Sequence, residues 1–168
     1  MSESLCQSIQ GREAVIEALR EHPAIRALLA WKPEALLDAK LDRGELTLTV
    51  AAEEIRAAVA TVKEAGYNFF EDMTAVDWYP ATPRFQLSYH LLSHAMKERV
   101  RLCARLEEVN ASIASITPVW PGADYYEREV FDLFGIRFEG HPNLRRIMMP
   151  DDWEGHPLRK DYPVEGYR

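Results

Sequence analysis

The chain has 168 residues, 47% hydrophobic and 28% charged, with a net charge of -7 and a pI near 5.3. That length suits one domain with a sizeable core, and the composition excludes wholesale disorder. The acidic balance excludes a dominant nucleic-acid footprint and disfavours unassisted docking on anionic lipid.

Residues 12–21 read as a first helix, and Pro23 opens a second through Ala30, because proline is tolerated in a first turn. Pro33 starts a short third turn, with Leu36 and Leu37 expected to be buried. Leu41-Asp42-Arg43-Gly44-Glu45-Leu46 is predicted as a hairpin whose Gly44 takes positive φ. Leu46, Leu48 and Val50 alternate with polar residues, the pattern of a half-buried strand. Ile55, Ala58, Val59 and Val62 recur at helical spacing, and Gly66 is a natural stop. A strand is expected from Phe69 to Trp78. Phe85, Leu87, Tyr89, Leu91 and then Val100, Leu102, Ala104, Leu106 give two more, joined by a hairpin over Ser93–Glu98. A last helix is predicted over Pro121–Phe134, with Tyr126, Val130, Leu133 and Phe134 as its buried stripe and Gly135 as its cap. The order predicts an α+β fold: a mostly antiparallel sheet with helices packed on one face.

Six of the ten prolines lie beyond residue 117. We therefore divide the chain into an α+β domain, residues 1–135, and an extended C-terminal interface arm, residues 136–168. The arm has no sustained periodicity, so it cannot build a core of its own. Yet it carries Ile136, Phe138, Leu144, Ile147, Met148, Met149, Trp153, Leu158 and Tyr162, which disordered linkers lack. It is expected to be ordered by packing on its own domain or on a partner.

No apolar run approaches the roughly 20 residues that cross a bilayer. The start, Met1 to Cys6, has the features of neither a secretory signal nor a transit peptide. Cys6 and Cys103 stand too far apart for a cluster or zinc motif, and two free thiols in a reducing compartment are expected.

The densest charged feature is Glu127-Arg128-Glu129-Val130-Phe131-Asp132. On a helix Glu127 and Glu129 point roughly 200° apart, so they form no catalytic dyad, while Arg128 and Asp132 are spaced to pair. Glu139-Gly140-His141-Pro142 and Glu154-Gly155-His156-Pro157 echo one another across Asp151 and Asp152. A stand-alone metal-dependent enzyme using these histidines is one reading, but their spacing matches no recognised ligand set. Arg145-Arg146 and Arg159-Lys160 lie among large apolar residues, a composition that contact patches enrich. His22, His90 and His94 are scattered and read as surface or sheet residues. No phosphate loop, dinucleotide fingerprint or nucleophile elbow is present.

From Glu127 onward the chain resembles the C-type subunit family of proton-pumping NADH:quinone oxidoreductase (respiratory complex I), which includes the J-type subunit of plastids and cyanobacteria. The resemblance rests on Glu127, Arg128, Glu129, Asp132, Leu133, Phe134, His141, Arg145, Ile147 and Met148, then on the run from Met149 through Trp153 and His156 to Pro163. Weaker likenesses are Gly66-Tyr67-Asn68-Phe69 and Pro118 to Ala123. It implies a cofactor-free subunit of the hydrophilic arm, with FMN, iron–sulfur clusters and quinone held by neighbours. The implied partners are the quinone-site component, lettered D in that complex, and the iron–sulfur components, lettered B and I. The implied location is the cytoplasmic side of the bacterial inner membrane, peripheral to it. The implied interface residues are Glu127, Arg128, Glu129, Asp132, His141, Arg145, Arg146, Trp153, His156, Arg159, Lys160 and Asp161, with no catalytic or metal-binding residue. An equivalent component of an energy-converting hydrogenase or of a coenzyme F420 dehydrogenase is the alternative. Truncation at Gly135 is expected to leave a foldable core that fails to assemble.

Overall fold

Strand alternation and helical periodicity meet on one apolar face. The structure, a computed structural model, describes residues 8–165. In chain order it has β1 (Ser8–Gln10), α1 (Arg12–Ala18), α2 (Pro23–Trp31), β2 (Leu36–Asp42), β3 (Glu45–Val50), α3 (Ile55–Glu64), β4 (Phe69–Asp77), β5 (Phe85–Ser93), β6 (Glu98–Leu106), β7 (Ser112–Ala114), α4 (Ala123–Phe134) and β8 (Arg137–Glu139). Single 3-10 turns precede β2 and α3. Cys6 lies outside the described residues; Cys103 is a buried free thiol.

Six strands form one sheet in the order β1-β2-β3-β6-β5-β4. Neighbours run antiparallel except β3 and β6, which are parallel and join the two meanders at the centre. Periodicity marks each strand but not its neighbour, so nothing in the sequence points to this parallel junction. The edge strand β1 and a small parallel pair, β7 with β8, are likewise additions to the sequence reading.

Asp42 and Glu45 pair across a two-residue turn in which Arg43 and Gly44 both have positive φ. That is the geometry that follows the right-handed twist of the flanking strands. Leu36 is buried as expected, but Leu37 is exposed. A bulge between Leu36 and Asp38 breaks the alternation there, so Ala39 turns inward next.

Phe85, Leu87, Tyr89 and Leu91 of β5 face the core and lie opposite Leu106, Ala104, Leu102 and Val100 of β6. Ala24, Ile25 and Leu28 of α2 and Ile55, Ala58, Val59 and Val62 of α3 complete it. Each such large side chain contributes roughly 1.5–3 kcal/mol by leaving water. The opposite strand positions (Thr47, Gln86, His90, Arg101) stay partly exposed, as a sheet covered on one face requires.

Helix α4 departs from its expected stripe. Val130 and Phe134 are buried, but Tyr126 and Leu133 only partly so, while Glu127, Arg128 and Asp132 are buried instead. One side of α4 packs on β4, where the Tyr126 hydroxyl donates to the Glu71 carbonyl at 3.3 Å. The chain beyond Gly135 covers the other side. Ile136 and Phe138 belong to the main core, and Leu144 packs against it. A cut at Gly135 therefore removes two core side chains along with β8, and a clean removal of the arm must start after Glu139.

Candidate functional site

Helix α4 ends with four carbonyls that no helical turn can satisfy. Gly135, at φ 74°, turns the chain in the left-handed conformation that favours glycine, and its N–H bonds the Phe131 carbonyl at 2.9 Å. The returning arm caps the other three. His156 Nδ1 donates to Asp132 O at 2.9 Å, the Leu158 N–H to Leu133 O at 3.1 Å, and Arg159 Nε to Phe134 O at 2.6 Å. The fit is close: a Cβ on Gly135 would stand 2.5 Å from the His156 ring and 2.8 Å from the Arg159 guanidinium. Burial is the largest influence on His156 and holds its pKa down; the cations of Arg159 and Arg146 add to this.

The charges of α4 face the arm. Asp132 Oδ2 accepts three successive backbone N–H groups, from Ile147, Met148 and Met149, at 3.0, 2.8 and 2.9 Å. Its Oδ1 takes Arg146 at 2.5 Å. Burial alone would raise the Asp132 pKa, but these donors outweigh it and hold the carboxyl low. Arg146 also reaches the carbonyls of Trp153 and Gly155, at 2.9 and 3.1 Å. Arg128 does not make the pair with Asp132 that its spacing predicts. It lies 3.8 Å from Asp124 and donates to the carbonyls of Arg145 and Arg146. The donors to Asp132 come instead from the arm.

Glu127 is wholly buried, with Oε1 accepting the Ile116 N–H at 2.7 Å. Its Oε2 and the hydroxyl of Tyr89 are buried with no hydrogen-bond partner among the described residues. Loss of water is the main cause that pushes the Glu127 carboxyl up to about 7. His141 stands beside it with its ring enclosed, Nδ1 accepting from the Asn143 N–H at 3.0 Å and Nε2 donating to Asp124 O at 3.2 Å.

A second anchor sits at the other end of the arm, and sequence reasoning missed it. Arg84, immediately before β5, has a side chain only 2% exposed. It grips Asp77 through two bonds of 2.9 and 2.7 Å, and reaches Glu108 and Asp161 at 2.5 Å each. Tyr79 and Phe85 rings lie 5.0 Å from its guanidinium carbon. Asp77 also accepts the Lys160 N–H at 2.8 Å and the Tyr79 N–H at 2.9 Å. Burial would raise the Asp77 pKa, yet the Arg84 and backbone hydrogen bonds together hold it down at about 2. The alternation along β5 is the one hint in the sequence: Arg84 directly precedes the inward Phe85, and Asp77 proves to be buried at the end of β4, where a lone charge is not tolerated.

The expected site residues thus divide. Glu127, Arg128, Asp132, His141, Arg146, His156, Arg159 and Asp161 converge on contacts within the chain, while Glu129, Arg145, Trp153 and Lys160 present side chains to solvent. Exposed beside them are Ile147, Met148 and Leu158. His141, His156, Asp151 and Asp152 do not come together, and among the described residues no group of three or more His, Cys, Asp or Glu could hold a metal. No described helix is long and apolar enough to cross a membrane. What the arrangement offers is a rigid, partly apolar surface.

Residues 48–168 match the family described as respiratory-chain NADH dehydrogenase, 30 Kd subunit. The C-type subunit of the NADH-quinone oxidoreductase of Citrifermentans bemidjiense is 51% identical over 133 residues, 79% of this chain and 83% of that protein. Its counterpart in Roseiflexus castenholzii is 47% identical over 148 residues, 86% and 85% of the two chains. Among solved structures, a trypsin-resistant fragment of Nqo5 is similar with a TM-score of 0.57 and 33% identity, covering 60% of this chain and 83% of the fragment. A chain of the archaeal membrane-bound sulfane sulfur reductase, a respiratory membrane complex, gives a TM-score of 0.74 at 29% identity over 86% of both chains.

Proposed function

Because this chain belongs to the respiratory-chain NADH dehydrogenase 30 Kd subunit family, we propose that it is a cofactor-free structural subunit of the hydrophilic arm of a proton-pumping NADH:quinone oxidoreductase. Its C-terminal arm docks against the quinone-site subunit and lies near two iron–sulfur subunits. FMN, clusters and quinone belong to other subunits of the complex, which holds the chain peripherally at the cytoplasmic face of the inner membrane. Its contribution to electron transfer is geometric, keeping the quinone site in place beside the clusters.

One observation carries this reading: an arm without helix or strand beyond Glu139 is pinned at both ends by buried charges, yet turns large apolar side chains outward. Met148 is 63% and Leu158 50% exposed. Ordering backbone costs about 1–2 kcal/mol per residue, and capping α4 does not require these apolar side chains to face outward. Exposed apolar side chains among arginines are what buried contact patches enrich. Affinity purification of the tagged chain from native membranes in mild detergent tests it. The expected result is stoichiometric retention of the quinone-site and iron–sulfur subunits, lost when Met148 and Leu158 are both changed to Ser. A chain that purifies alone from membranes holding the intact complex refutes it. Retention of hydrogenase or F420 dehydrogenase subunits in their place identifies the alternative enzyme.

A further inference from the structure

The Arg84 anchor joins two segments far apart in sequence. Asp77 and Arg84 bracket the loop 78–83 between β4 and β5; Asp161 and the Lys160 N–H belong to the arm. Fastening them together brings residues 158–161 beside that loop. The loop is itself unusually apolar for an exposed turn: Trp78 is 47% and Tyr79 51% exposed, and Val76 joins them at the end of β4. Single exposed apolar groups need no explanation, but a run of them continuous with another does.

We infer that the β4–β5 loop is the second half of the surface the arm presents, and that one partner polypeptide covers both, with an apolar patch over Trp78, Tyr79 and Leu158 and a carboxylate meeting Lys160. Two observations argue for that occupant. The first is continuity: Arg84, Asp77 and Asp161 lock the two segments into one rigid platform, so a partner seated on the arm near Leu158 meets the loop at no ordering cost. The second is charge. Lys160 is exposed, while the two carboxylates beside it, Asp77 and Asp161, are both engaged by Arg84. Among the described residues its ammonium makes no ion pair, so it is free to meet a carboxylate of the partner. An aromatic pair at the centre with a cation at the rim is also the usual distribution of binding energy in such contacts.

The inference rests on the reading of the arm as an interface, and the experiment separates the two. Full-length tagged chains carrying Trp78→Ser, Lys160→Glu, Leu158→Ser, or Leu37→Ser as a control near the far edge of the sheet are each expressed in place of the native chain. The subunits retained from membranes are then quantified, and each isolated chain is checked by thermal unfolding. Trp78→Ser and Lys160→Glu are expected to lower retention at least tenfold with an unchanged melting midpoint, and Leu37→Ser to leave retention as in the wild type. Loss with Leu158→Ser but full retention with Trp78→Ser overturns the loop's part and leaves the arm's intact. Full retention with Lys160→Glu overturns the acidic partner, and full retention with all variants overturns the interface reading itself.

Discussion

Replacing Arg84 by methionine removes a charge from beside Asp77, the one of its partners that has no access to water. The Asp77 side chain is 0% exposed and keeps only two backbone donors, from Tyr79 and Lys160, once the guanidinium is gone. Breaking a buried pair by removing one partner costs about 3–5 kcal/mol, because the remaining charge is buried uncompensated. Against a total stability of roughly 5–15 kcal/mol, that is a large fraction. For a domain of this size it corresponds to a fall in melting temperature of about 6–20 °C, read by circular dichroism or calorimetry. The pH dependence is the sharper test. In the wild type Asp77 sits at about 2 against 3.8 in an unfolded chain. A depressed carboxyl contributes stability above its unfolded pKa and loses it as pH falls through the folded one, so the wild type should lose about 2 kcal/mol between pH 5 and pH 2 from this group. In Arg84→Met that loss should vanish or reverse, because protonating Asp77 now relieves an unpaired charge. The double variant Arg84→Met/Asp77→Asn should recover most of the lost stability at pH 7. A single variant within 1 kcal/mol of wild type, or a double variant no better than the single, would show that the anchor does not hold the arm.

At Glu127 the sign is opposite. Its carboxyl is raised from 4.5 to about 7, so its favourable contribution is present below pH 4.5 and lost as pH rises through 7. Glu127→Gln keeps an acceptor for the Ile116 N–H and removes the buried charge, and urea unfolding should favour the variant by up to about 3 kcal/mol at pH 8 but by no more than about 1 kcal/mol at pH 5; a pH-independent difference refutes this. Asp132→Asn turns one acceptor of three N–H groups and a guanidinium into a donor, at a cost of about 2–4 kcal/mol felt locally. Limited proteolysis should then cut within residues 146–158 at least tenfold faster than in wild type, and equal rates would exclude Asp132 as the fastener of the arm.

The two histidines show how one residue type at similar motifs reaches different ends. His141 and His156 share the Glu-Gly-His-Pro setting, which suggests a matched pair of ligands. One is enclosed beside Glu127 and Asp124, while the other caps a helix carbonyl. The tetrapeptide fixes a local turn and an extended histidine; it carries no information about what that ring meets.

Much about this protein is local and could be read from the chain. The 2.0 and 3.6 periods placed β3, β5, β6 and α3 nearly to the residue, because alternation and amphipathicity are imposed by the element's own geometry. The Arg43-Gly44 turn and the Gly135 stop followed from conformational preference at single residues. Apolar composition showed that the last segment must lie on something. Which strand lies beside which, that β3 meets β6 in parallel, and that Asp161 is held by Arg84, a residue outside the signature, were settled only in three dimensions. Pairing of this kind depends on contacts between residues 77, 84, 108 and 161, and the free energy of such contacts exists only after the chain has closed on itself. The same holds for the charges of α4. Their spacing shows that they share a helix, but whether they face water, a partner or their own arm is decided by what packs over them.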